Sequence, residues 1–159
     1  MSARRSLALF GLMLGMFPPA AIFIKMFDYG LVGYKSSVLL FIICLVMNFS
    51  CAGVGYAMGG ALASSVEKLE RRSWTRMLLM LPLIGAAWGA VTGGAGGLIF
   101  LGIGALFGSI FAMPIGALAF ILFASLHRVL SRGGMIDARH YWPLASGVTL
   151  LLAALVLGQ

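Results

Sequence analysis

A chain of 159 residues that is 62% hydrophobic and only 9% charged is not a soluble domain, because soluble domains carry roughly 25% charged residues. Its mean hydropathy is +1.08. The net charge of +7 does not point to nucleic acid: the basic residues sit in small groups between apolar runs, which is how topology signals are distributed, not a basic groove.

Uncharged runs extend over Ser36–Val66, Met77–Leu126 and Pro143–Gln159, while one membrane span takes about 20 apolar residues. The expected fold class is therefore all-α, a polytopic helical membrane protein forming one integral membrane domain over 1–159. Its five spans are expected at about 7–27, 38–63, 77–100, 110–132 and 143–157.

The first span follows Arg4 and Arg5. It reads as a retained span, since no small-x-small cleavage site follows and Pro18-Pro19 leads into more apolar sequence. Two consecutive prolines remove two N–H groups from its middle and predict a kink or break there. Lys25 and Asp28 lie one turn apart near its end. They read as a snorkelling lysine and an interfacial aspartate, with Tyr29 and Tyr34 as aromatic anchors; the functional reading is a polar site at a broken helix.

A short connection with Gly30 and Gly33 leads into span two. Asn48 falls near the centre of that span, where an amide must find a partner on another helix. Cys44 and Cys51 lie on one face but roughly 10 Å apart at helical rise, too far for a disulfide, and read as small core residues. Cys51, Gly55, Gly59 and Ala63 form a ridge of small residues. Ser65–Arg76 is the most polar stretch and reads as a helical extension and turn at the cytoplasmic surface. There Trp74 sits at headgroup level, Glu67 and Arg71 stand in the favourable order, and Glu70 belongs to a solvated face.

Spans three and four carry two further ridges, Gly85, Gly89, Gly93, Gly97 and Gly104, Gly108, Ala112, Gly116. Such smooth faces let another backbone approach closely. The expectation is tight packing of spans two, three and four against one another, with contact to partner chains as an addition. Trp88 lies beside the first ridge and either plugs a gap or marks the ridge's edge. Pro114 suits the first turn of a helix. That places the hairpin at Leu101–Ser109 and keeps the Gly93–Gly97 cluster inside span three; a turn at the cluster itself is the alternative.

Span four ends with His127, Arg128, Ser131 and Arg132 ahead of Gly133-Gly134, a basic last turn followed by glycine. The loop that follows holds Asp137, Arg139 and His140, with Tyr141 and Trp142 at the interface, and Pro143 opens span five.

Material for catalysis is scarce: four carboxylates, two histidines and two cysteines. No HExxH, CxxC, GxSxG, P-loop or dinucleotide spacing occurs. The sequence assigns no catalytic residue, no metal ligand and no cofactor; His127 reads as a helix-end cap and His140 as a headgroup-level residue. Two functions fit. The first is a non-enzymatic accessory or structural subunit that packs within a larger membrane complex, its partners being the bilayer, other membrane subunits or copies of itself. The alternative is a small oligomeric channel or transporter using the proline-broken first span with Lys25, Asp28, Asn48 and Thr92. The expected location is the bacterial inner membrane.

Arg4, Arg5, Lys68, Arg71, Arg72, Arg76, Arg128, Arg132 and Arg139 all fall on one side of a five-span arrangement, leaving Lys25 and Lys35 opposite. By the positive-inside rule the N terminus is cytoplasmic and the C terminus outside. Accordingly, alkaline phosphatase fused after Gln159 is expected to be active, and the same enzyme inserted after Arg72 inactive. The reverse pattern would refute the topology.

Overall fold

The structure is a computed structural model, and it describes residues 1–28, 37–98, 102–131 and 135–158. The described residues form α1 (Ala3–Asp28), α2 (Ser37–Glu70), α3 (Trp74–Gly97), α4 (Ile103–Leu130) and α5 (Ala138–Leu157). All five are long and apolar enough to cross a membrane. The expected anchors Tyr29 and Tyr34, with Gly30, Gly33, Lys35, Arg132, Gly133 and Gly134, lie outside the described residues.

Helix α1 runs through Pro18 and Pro19 as one helix, so of the expected kink or break the break does not occur. The prolines free the carbonyls of Leu14 and Gly15. A full break in hydrocarbon would leave many more backbone groups without partners, which is why membrane helices tolerate proline. Helix α2 continues to Glu70. At 34 residues it is about 51 Å long, well beyond a hydrocarbon core of about 30 Å.

The turn between α3 and α4 lies closer to α3 than expected. Ile103–Ser109, assigned to the hairpin from sequence, are helical, and Pro114 sits inside α4 instead of opening it. The glycine cluster Gly93–Gly97 is the last part of α3, as expected. Gly102, the residue before α4, has φ +84°, a conformation that glycine adopts at little cost. Helix α5 likewise begins before Pro143, because Asp137 serves as its N-cap and accepts a hydrogen bond from Arg139 N at 3.2 Å.

Helices α3 and α4 approach backbone to backbone over Gly85–Gly97 and Gly104–Gly116. A Cβ on Gly97 would overlap the Gly104 carbonyl, one on Gly93 that of Gly108, one on Gly89 that of Ala112, and one on Gly85 that of Gly116. Each step of four back along α3 is matched by four forward along α4, an antiparallel register. The α2 ridge meets the expected α3 through Cys51 and Gly55, but its closest backbone approach is to α1, which was not expected. Gly55 faces the Gly11 carbonyl and Gly59 that of Leu7, while a Cβ on Gly15 would overlap the Cys51 carbonyl. The helices therefore pair as α1 with α2 and α3 with α4. Gly11 and Gly15 were not singled out in the sequence.

Side chains join the two hairpins. Trp88 is buried, and its Nε1 donates to the Gly55 carbonyl at 3.3 Å, so it fills the gap between hairpins. Phe10 stacks on Phe123 with centroids 3.9 Å apart, and Phe120 meets Phe10 and Trp88. Helix α5 closes this core through Tyr141, expected at the interface but fully buried; its hydroxyl donates to the Ser6 carbonyl at 3.0 Å. Trp142 beside it is exposed.

Gly89→Leu and Gly93→Leu each push a side chain into the opposing backbone and are expected to lower the thermal midpoint in detergent, with a cost of about 1–3 kcal/mol or more. Gly53, where an added Cβ meets nothing within 4 Å, is the control: Gly53→Ala should leave the midpoint unchanged or higher.

Candidate functional site

The polar residues singled out from the sequence go to separate neighbours. Lys25 Nζ donates to the Val156 carbonyl at 3.2 Å, which ties the end of α1 to the last turn of α5. A cation there also meets the negative end of that helix. Asp28 is exposed at the end of α1. Asn48 lines an apolar groove with Ala20, Phe23 and Ile24 of α1 and Phe41 and Cys44 of α2. Its Oδ1 is buried without a hydrogen-bond partner among the described residues.

Thr92 is buried at the α2–α3 contact. Its carbonyl accepts from Cys51 Sγ at 3.5 Å, and its own Oγ1 is unpartnered among the described residues. A small space of about 40 Å³ beside it is lined by Leu14, Pro18, Cys51 and Trp88, with neither Asn48 nor Lys25 on its wall. Both cysteines are buried and unpaired. Ser109, on α4, donates to the Ala90 carbonyl at 2.8 Å and so serves the α3–α4 contact.

A buried polar pair lies at the other end of the bundle, and sequence reasoning missed it. His127 Nδ1 stands 2.9 Å from Glu70 Oε1. The two side chains are 2% and 10% exposed, so this pair joins the last turns of α2 and α4 almost free of water. Phe123 stacks on the imidazole at 5.6 Å, and His127 Nε2 is buried without a partner among the described residues. Glu70 is thus not part of a solvated face. His127 caps nothing with its side chain; its carbonyl accepts from Ser131 N at 2.7 Å.

The one available signal was helical spacing: Phe120, Phe123 and His127 fall on a single face of α4, and the terminal carboxylate of α2 belongs to the same end. By contrast Glu67 pairs with Arg71 at 2.7 Å as expected, on an exposed face. A solvated pair of that kind adds little stability.

The chain start joins this end. The Met1 ammonium donates to the Ile136 carbonyl at 2.6 Å, and Ser2 bridges to Met135. Asp137 is used as a helix cap and His140 is exposed, so neither meets His127. Among the described residues no three His, Cys, Asp or Glu side chains gather as a metal-holding group. The His127–Glu70 pair can therefore hold two helix ends in register, with one ring nitrogen left over. Comparison with family models, curated proteins and solved structures finds no match to this chain.

His127→Ala leaves Glu70 without its hydrogen-bonding partner in a nearly dry site, and an unsatisfied buried group costs about 1–3 kcal/mol, more if it is charged. The expected result is a sharply lowered midpoint in detergent. Glu70→Gln keeps a hydrogen-bonding group for the ring and should cost clearly less. Equal midpoints for wild type and His127→Ala would remove the pair from the fold's supports.

Proposed function

We propose that this chain is a non-enzymatic integral membrane protein that acts by packing, as an accessory or structural subunit of a larger membrane complex. The observation that carries this reading is the separation of the polar residues. Lys25 reaches α5, Asn48 lines the α1–α2 groove and Thr92 sits at the α2–α3 contact, so among the described residues no one cavity gathers them. A channel or transporter needs such groups on one lining.

The small-residue faces are used within the chain, Gly85–Gly97 against α4 and Gly55–Gly59 against α1. This supports a glycine-rich, tightly packed bundle whose outer surface is left to larger residues. Those surfaces are extensive and apolar. Val38, Leu39 and Phe49 on α2 and Ile103, Phe107 and Phe111 on α4 are all more than half exposed. They suit lipid tails or the apolar helices of other subunits equally in composition. The clustering of basic residues at the end that carries Met1 supports a cytoplasmic N terminus and an external C terminus.

Gentle detergent extraction of native membranes at endogenous expression, followed by native gel separation and mass spectrometry of the band, tests the proposal. Comigration with different subunits in fixed stoichiometry is the expected result. A band containing only copies of this chain would overturn the accessory-subunit reading and favour the oligomeric channel.

A further inference from the structure

The C-terminal turns of α2 and the first turns of α3 diverge at the basic end and leave a groove of about 570 Å³ between them, within the size range of small-molecule sites. Its wall changes character along its length. Lys68 of α2, Arg72 of the turn that follows it and Arg76 of α3 form one part, while Met80, Leu83 and Ile84 of α3 form the other. The cations are left unneutralised by their surroundings. Both carboxylates of the segment are already engaged, Glu67 with Arg71 and Glu70 with His127, and Lys68, Arg72 and Arg76 make no ion pair among the described residues.

Three further features fix the level of this groove. Helix α3 starts at Trp74 with no acidic residue in its first turn, so the positive end of its dipole is also uncompensated. Trp74 is 45% exposed and carries the Arg128 guanidinium 4.4 Å above its ring. An exposed tryptophan beside cations, at the end of an apolar helix, is the pattern of the headgroup region. A ligand here meets excess positive charge at one end and hydrocarbon at the other.

We propose that this groove binds one anionic phospholipid, with its phosphate held by Lys68, Arg72 and Arg76 and an acyl chain lying along Met80, Leu83 and Ile84. A free phosphate would satisfy only the cationic part; the apolar part selects the lipid. Basic pockets between membrane helices at the cytoplasmic side are suited to such headgroups. The site does not depend on the accessory-subunit reading, since a channel could hold the same lipid.

Native mass spectrometry of the full chain in detergent, titrated with dioleoylphosphatidylglycerol or dioleoylphosphatidylcholine, tests it. The expected result is one phosphatidylglycerol bound well ahead of further copies and well ahead of phosphatidylcholine. The triple variant Lys68→Gln, Arg72→Gln, Arg76→Gln should weaken that first binding about tenfold or more. Arg4→Gln with Arg5→Gln, at the same end but outside the groove, should leave it unchanged. Met80→Trp fills the apolar part without touching a charge and should also weaken it.

Unchanged binding in the triple variant would overturn the proposal. So would equal loss in the Arg4, Arg5 variant, which would show diffuse surface charge at work. Competition by glycerophosphate at the lipid's own concentration would assign the groove to a water-soluble phosphate instead.

Discussion

The structure depends on how closely two backbones approach one another. In hydrocarbon, burying apolar side chains drives nothing, since lipid tails are as apolar as leucine. Association must come from dispersion at short range and from polar contacts, and dispersion falls off steeply once a gap opens. The α3–α4 seam meets that requirement by having no side chain at Gly85, Gly89, Gly93 and Gly97, each opposite a carbonyl of α4. The α1–α2 seam repeats the solution with Gly11, Gly15, Gly55 and Gly59. Trp88, the aromatic cluster and α5 then join two hairpins that are each already closed.

This division of labour explains where the polar groups went. At one end, Lys25 ties α1 to α5 through the Val156 carbonyl. At the other, His127 and Glu70 tie α4 to α2, and Met1 reaches the segment before α5. The contacts of charged groups fasten ends, while the middle relies on shape and on single hydrogen bonds to backbone carbonyls from Trp88, Cys51 and Ser109.

Much of this was legible in the sequence. Uncharged runs bounded by basic groups gave the existence and order of the helices, because the cost of charge in hydrocarbon leaves a coarse imprint. The hairpin was misplaced because Pro114 was read as a helix start, although membrane helices accommodate internal proline. A better signal was present: the two ridges are mirror images about the Phe100–Leu101 bond, so pairing them antiparallel places the turn beside Gly102. Gly11 and Gly15 were overlooked because two glycines do not stand out among 22.

Other features were hidden for a physical reason. Tyr141 and Trp142 look alike in sequence, yet one is buried and the other exposed, because the earlier start of α5 at Ala138 brings both into the helix and turns them to different faces. The partnership of Glu70 with His127 spans 57 positions and exists only once α2 and α4 end at the same level.

The central claim is that Gly85 and Gly116 share one backbone contact that is separate from the α1–α2 seam. A double-mutant cycle of thermodynamic stability in detergent tests it most directly. Gly85→Ala and Gly116→Ala should each destabilise, and together cost less than the sum of the two, with a coupling of about 0.5–3 kcal/mol, because the first insertion already parts the backbones. Gly85→Ala combined with Gly59→Ala should be additive to within about 0.5 kcal/mol. Additivity in both cycles, or no loss in the single variants, would contradict the account.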